Sequence, residues 1–566
     1  TVFRDSVSVG AFDGSTGLTT IQAGGQTTVA PGSFTTTLGG AQFDGNVSLG
    51  VDTIITAAGA VTFTGTVQGN ATGDFGLTVN TAGVTRFAGA VGGGGFALKS
   101  LTTDNQSGGG ELTAIEADII LRDSATFNDL VELRGAGMRS LDTSASATYT
   151  FNNAVRSQVD NTTGLTVNTL GLKTFAGNVG GGGLRLASLE TSGGGTTRFT
   201  TLGSSIITGG TQTYGDAVTF GGNVVGSYTL NASGIQFDSS IGAATTNDVV
   251  TVNFTNGVPT FGGAINAPFR LALINFPNTI NLAANPNYNF GDTPVQFAGI
   301  TGPGGGINFT ISGTATKTFS GPLANILNFT SNGSGMTCID TPTFSIGGSF
   351  TFADAVCIGG ANVTSGNTVT LNYTTGASGA SFGSSIESAS GGARNLVLNS
   401  GTGLTSITGA IGTLANPLGT FTSDAAGTFT AGAGANTTGL FTQNETLATS
   451  LAGTFNVAGM TAAGTITMGG AVVINSGNTT VQWTNATTVV TNANNLTVNN
   501  TGTASFAGIL LSLGTFTSDE GGTLTLVGAN TTAGNLIIRD TTVNLSGNYG
   551  AGNSSITIAR TSDSTL

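Results

Sequence analysis

LTVNTAGVTRFAGAVGGGGFALKSLTTD, residues 77–104, returns without a gap as LTVNTLGLKTFAGNVGGGGLRLASLETS at 165–192, an offset of 88 residues. Looser copies begin at Thr251 (TVNFTNGVPTFGGAI), Phe309 (FTISGTATKTFSGPL), Leu396 (LVLNSGTGLTSITGAI) and Leu496 (LTVNNTGTASFAGIL), and LGTFTSD stands at both 418 and 513. Inside these copies lies a finer unit, Phe-x-x-x-(Val/Ile/Leu), at Phe43, Phe63, Phe87, Phe127, Phe151 and Phe175 and again at Phe220, Phe261, Phe319 and Phe352. Its spacing, about 20 to 24 residues or near multiples, is that of one solenoid coil.

Within each unit the apolar residues alternate with Thr, Asn or Gly, as in Leu77-Thr-Val79-Asn, Val61-Thr-Phe63-Thr and Ile556-Thr-Ile558, and Gly-rich turns end each run. That period of two predicts short half-buried strands. The charged stretch Glu111 to Arg139 follows the same alternation and is expected to be strand too. Helical periodicity is almost absent, and β-branched Thr and Val dominate. Two all-β architectures fit: a parallel β-solenoid (β-helix) with coils of about 20–24 residues, or a tandem β-sandwich array with modules near 90 residues. The short sub-period and the lack of a Trp or Tyr core pattern favour the solenoid. In it, inward Phe, Val, Ile and Leu stack on their equivalents in adjacent coils.

Composition agrees. Gly supplies 93 of 566 residues and Phe 33, whereas Asp, Glu, Lys and Arg make up only 8 %, against about 25 % in an ordinary globular chain. Identical charges stacked about 4.8 Å apart along a parallel ladder would repel, which accounts for their scarcity. The hydrophobic share of 38 % provides a core that a disordered chain lacks. Histidine is absent, and with it the commonest general base and the usual triads. Fifteen basic residues face 28 acidic ones, for a net charge of −13. That balance opposes a phosphate backbone, so no nucleic-acid partner is expected. No apolar run reaches the ~18 residues of a transmembrane segment.

Three zones emerge along the chain: a repetitive solenoid over 1–250, a Pro- and Phe-rich irregular section over 251–345, and a charge-poor Thr/Asn/Gly-rich solenoid over 346–566. Eight of the ten prolines fall between 259 and 342, where they must sit at strand ends or in loops because proline cannot donate to a ladder. Between Lys317 and Arg539 the only basic residue is Arg394.

These repeats resemble the repeat regions of large secreted bacterial surface proteins, the filamentous-haemagglutinin-type adhesins and autotransporter passenger domains, which carry runs such as LTVN, TFAG and ADIIL. The resemblance implies a right-handed parallel β-helix, export to the cell surface, and adhesion or matrix building; no functional residue is carried over from it. The expected function is therefore a non-enzymatic structural or adhesive protein, extracellular, with self-association into a fibre or longer rod and with host-surface or matrix glycans as further partners. A polysaccharide-binding or polysaccharide-cleaving β-helix protein is the alternative. The ends point to self-association: Val2 to Val9 and Ser555 to Ala559 read as ordinary coil strands without a cap, and an open strand edge templates another coil.

No catalytic, metal or cofactor residues are assigned. The glycine runs 92–95 and 180–183 lack the GK[ST] of a phosphate loop and are expected to be corners, and the sparse acids read as solvated. Cys338 and Cys357, the only cysteines, lie about one coil apart; they are expected to form a disulfide, or at the least to stack in adjacent coils. Far-UV circular dichroism of the purified chain is expected to show β-structure with little helix, and more than about 15 % helix would overturn the solenoid.

Overall fold

Leu77, Val79 and Thr81 turn inward along Gly76–Thr81 while Thr78 and Asn80 face outward. The strand pairs in parallel register with Thr53–Ala57 before it and Leu98–Asn105 after it. This computed structural model describes residues 2–559 apart from short stretches, the longest being 70–74, 106–111 and 374–378; before residue 39 it describes only the strand backbones and the Phe34 side chain. The chain forms two compact units, Thr1–Pro277 and Asn278–Leu566. Each is a parallel β-solenoid, and no helix occurs among the described residues. Consecutive coils pair through parallel strands, which excludes the antiparallel sandwiches of the alternative reading. An isolated bridge, Ala243 to Phe269, is antiparallel.

In the first unit the Phe-x-x-x-Val spacing becomes two internal columns. Phe43, Phe63 and Phe87 stack face to face at 4.9 and 5.3 Å between ring centroids. Phe127, Phe151, Phe175, Phe199 and Phe220 continue the arrangement at 4.8–5.5 Å. Coils about 4.8 Å apart leave room for one ring thickness plus offset, so the strand spacing itself sets the stacking. The valines pair likewise: Val47 with Val67, Val67 with Val91, Val131 with Val155 and Val155 with Val179.

The second unit keeps the ladder, but its aromatic columns meet in the middle. Phe319 packs edge-on against Phe329 at 5.3 Å, and Phe329 edge-on against Phe344 at 5.5 Å. Farther along, Asn436, Asn456, Asn475 and Asn499 are register partners. Each later Asn donates its Nδ2–H to the Oδ1 of the one before, at 2.7–2.8 Å, and Asn436 donates to the Gly412 carbonyl. Stacked amides satisfy one another where stacked charges would repel.

Coil length drifts because only strands must match. Leu112 pairs with Leu130, 18 residues on, whereas Phe350 pairs with Ala380, 30 on. Among the described residues proline stays off the ladder interior, as expected: Pro259 opens Pro259–Phe261, and Pro294, Pro322 and Pro342 directly precede strands. Gly180 has φ +70°, and a Cβ there would collide with the Ile207 carbonyl, so that glycine run is a corner. In the first run Gly92 has φ +74°, while 93–95 lie outside the described residues.

The core is more varied than a Phe and aliphatic reading implies. Tyr149, Tyr214, Tyr228, Tyr373 and Trp483 are fully buried. Tyr214 stands in for Phe, stacking on Phe237 at 5.0 Å, while its hydroxyl donates to Gln212 Oε1 at 3.1 Å. A tyrosine fits a ring column wherever its hydroxyl finds a partner.

Charges on the first unit avoid like-on-like stacking by alternating. Arg86 bonds Glu116 at 2.7 Å, Arg134 lies between Glu116 (3.6 Å) and Glu132 (2.9 Å), and Arg156 closes on Glu132 at 2.9 Å. The hydrogen bond from Arg86 holds the Glu116 carboxyl below its ordinary range. Within the stretch from Glu111 to Arg139, Leu112–Ile115, Ile119–Phe127, Leu130–Leu133 and Gly137–Thr143 are strands, as the alternation predicts, and Glu116 and Arg134 directly follow two of them; residue 111 itself lies outside the described residues.

Phe151→Ala opens a cavity between the rings of Phe127 and Phe175. It is expected to cost about 3–5 kcal/mol of local stability, read by amide hydrogen exchange over residues 127–175, whereas the outward-facing Thr150→Ala changes exchange little.

Candidate functional site

Three aspartates occupy one place in the coil. Asp129, Asp216 and Asp354 each follow an inward ring by two residues and precede an inward valine by two: Phe127-Asn-Asp129-Leu-Val131, Tyr214-Gly-Asp216-Ala-Val218 and Phe352-Ala-Asp354-Ala-Val356. In other coils the same place holds Gly65, Gly89, Asn153 or Gly177. At Gly177 an added Cβ would lie 2.4 Å from the Asn153 carbonyl carbon in the coil below, so the corner is tight. All three carboxylates are buried, which is tolerable only with partners.

The partners repeat as well. Lys173, Thr197 and Val218 are successive register neighbours, and so are Lys317, Thr337 and Val356. Lys173 Nζ meets Asp216 Oδ2 at 2.7 Å with both side chains fully buried, and Lys317 Nζ meets Asp354 Oδ2 at 2.8 Å. Each lysine also donates to the carbonyl four residues before it, Thr169 at 2.7 Å and Gly313 at 3.2 Å. Ser331 and Thr337 donate to Asp354, and the Gly194 amide to Asp216. In the third copy Thr85, Thr113 and Val131 form the column, and Thr113 donates to Asp129 Oδ2 at 3.1 Å. Desolvation pulls the Lys173 pKa down against the opposing pull of Asp216. These acids are therefore interior locks between coils and not solvated groups. The exchange of Gly for Asp at the third place of Phe-x-x-x-Val is the signal in the sequence that marks them.

On the outside of the first unit, an open groove of about 700 Å³ runs across several coils. Its floor is the small outward row Leu172, Thr196 and Ala217, which are register neighbours, and Arg198 and Thr219 stand in the parallel row beside it. Arg198 is half-buried and donates its Nε–H to the Gly221 carbonyl at 3.2 Å. Such a groove offers one cation and several hydroxyls to an elongated ligand.

Cys338 and Cys357 are register partners on the adjacent strands Met336–Ile339 and Ala355–Ile358, and both are free thiols. Thr318 precedes them in the same column and Glu387 follows. Cys338 is half-buried and Cys357 is 5 % exposed. Each sulfur acts on the other, raising the Cys338 pKa and lowering that of Cys357, and the Cys357 thiol donates to the Gly359 carbonyl at 3.7 Å. Arg394, the lone cation of the charge-poor stretch, adds to the lowering at Cys357. Its buried guanidinium is held by the carbonyls of Val363, Ala389 and Gly392.

A further buried acid, Glu445, accepts a hydrogen bond from Ser423 and lies beside Gln443. Burial raises its pKa from 4.5 to about 7. Among the described residues no group of three or more Cys, Asp or Glu is placed to hold a metal ion, and no helix is long and apolar enough to cross a membrane. Comparison with protein-family models, curated proteins and solved structures finds no match.

The Glu445 carboxyl is neutral in the fold at pH values where an unfolded Glu is ionised. Its stabilising contribution is therefore complete below about pH 4.5 and is lost as pH rises through about 7. Relative to Glu445→Gln, which has no such titration, the native chain is expected to lose about 3 kcal/mol of stability across that interval. Denaturant unfolding of both at pH 4.5 and pH 8 measures the difference, and equal losses would refute it.

Proposed function

We propose that this chain is a non-enzymatic structural or adhesive protein of the bacterial cell surface, secreted and extracellular, which associates with copies of itself into a fibre or matrix. The observation that carries this reading is the in-register stacking of side chains from coil to coil. Ring columns, an amide ladder and buried lysine–aspartate locks are devices for rigidity over a long repeat, and they recur through both units. A repeated scaffold of this kind presents many equivalent outward rows of Thr, Asn and Ser, which suits multivalent contact with a matrix.

A second reading, polysaccharide binding, is favoured by the groove over Leu172, Thr196 and Ala217 with Arg198 beside it. Extended glycans match an open trough lined by hydroxyls and one guanidinium.

Two measurements on the purified chain test the proposal. Sedimentation velocity at rising concentration is expected to show assemblies larger than the monomer, and incubation with a panel of acidic and neutral polysaccharides is expected to release no reducing ends. A monodisperse monomer at every concentration would reject self-association, and released reducing ends would reject the non-enzymatic reading. Retention on a polysaccharide matrix that is lost in Arg198→Ala would favour the second reading.

A further inference from the structure

We propose that Cys338 and Cys357 form a peroxide-sensitive dithiol that closes into a disulfide joining two adjacent coils. The argument starts from register. The two residues are paired directly across neighbouring parallel strands and are the only cysteines in the chain. Strands in such a ladder lie about 4.8 Å apart, inside the Cα separation of about 4.4–6.8 Å that a disulfide spans. In the reduced pair the Cys357 thiol donates to the Gly359 carbonyl at 3.7 Å, a weak contact that rotation of the side chain releases. Closure thus requires side-chain rotation only, with no movement of the ladder.

The surroundings sort the two sulfurs into roles. The neighbouring Cys338 sulfur, with help from the buried Arg394, favours negative charge on Cys357, although burial, Glu387 and Asp340 oppose it. A thiolate is the nucleophile in thiol oxidation. Cys357 is nearly covered, so a small oxidant reaches it more readily than a bulky disulfide does. Cys338 is the more exposed residue of the pair.

The chemistry balances with hydrogen peroxide as the oxidant. The Cys357 thiolate attacks one peroxide oxygen, the O–O bond breaks, and Cys357 becomes a sulfenic acid as hydroxide leaves. The Cys338 sulfur then attacks the Cys357 sulfur, the S–O bond breaks, and the Cys338 proton departs with the hydroxyl as water. Two electrons pass from the sulfurs to the peroxide, and one S–S bond forms. Dithiothreitol reverses the step by exchange. The bond would clip the coil turn between the two strands, from 339 to 356.

The test uses the full chain, purified reduced, exposed to hydrogen peroxide, then unfolded and alkylated with iodoacetamide before peptide mapping. The expected result is loss of both alkylated cysteines, appearance of a linked Cys338–Cys357 peptide two hydrogens lighter than the pair, and recovery of both thiols with dithiothreitol. In Cys338→Ser the sulfenic acid has no partner, and a dimedone adduct is expected on Cys357. In Cys357→Ser the adduct on Cys338 is expected at a tenth of that level or less. Both thiols remaining fully alkylatable after peroxide treatment would overturn the proposal, as would a dominant dimedone adduct on Cys338 in Cys357→Ser. Circular dichroism confirms that each variant keeps its β-structure, and the native chain alone decides the question should a variant unfold.

Discussion

Parallel pairing of one coil on the next is the constraint from which the rest of this protein follows. Backbone hydrogen bonds hold neighbouring strands about 4.8 Å apart, and every side chain is thereby placed on its own equivalent in the coil below. A residue type is acceptable only where it tolerates a copy or complement of itself at that distance. Flat rings tolerate it, as the Phe127 to Phe220 column shows. Primary amides do too, because each donates to the next, as from Asn499 back to Asn436. Charges do not, unless the sign alternates as it does from Arg86 through Glu116 and Arg134 to Glu132 and Arg156.

The same constraint explains how ionised groups enter the interior. A lysine placed in an inward column cannot sit beneath another lysine, and Lys173 and Lys317 have Thr197 and Thr337 as their next neighbours. The compensating carboxylate arrives from the corner, two residues before the valine that stands two coils further on in the same column. Removing either partner alone would strand a charge in a dry core, a loss of about 3–5 kcal/mol by analogy with other buried pairs. Such a lock gives little net stability over a well-packed apolar pair. What it adds is register: a coil that slipped by one residue would bury the charge without its partner.

A scaffold built in this way leaves its outer rows free to vary. The groove beside Arg198 lies on outward positions, and Cys338 with the covered Cys357 forms a column apart from the inner Thr337–Val356 one, where the ladder fixes spacing but not identity. Interaction or chemical modification can be added there without disturbing the inner columns. This separation is the physical basis for reading the chain as a surface-building protein whose specific contacts are carried by a few outward residues.

The sequence by itself determined the class of fold, the length of a coil and the composition of its inner columns. Period two, the Phe-x-x-x-Val spacing and glycine at corners are local properties that the ladder then repeats. Proline at strand ends and the near absence of charge follow from the same rules and were equally legible. The fate of the polar residues that enter the core was not. Asp129, Asp216 and Asp354 look like solvated acids, and Tyr214 or Trp483 like strangers to a Phe core, because their burial depends on a partner many residues away. Lys173 finds Asp216 only after two further coils have been laid down, Arg394 finds the carbonyls of Val363 and Ala389 only at one folded corner, and the Glu445 carboxyl has its pKa raised only because folding buries it. Strand periodicity acts over a few residues and can be read from the chain, whereas charge neutralisation and desolvation depend on which coils meet, and only the tertiary structure decides that.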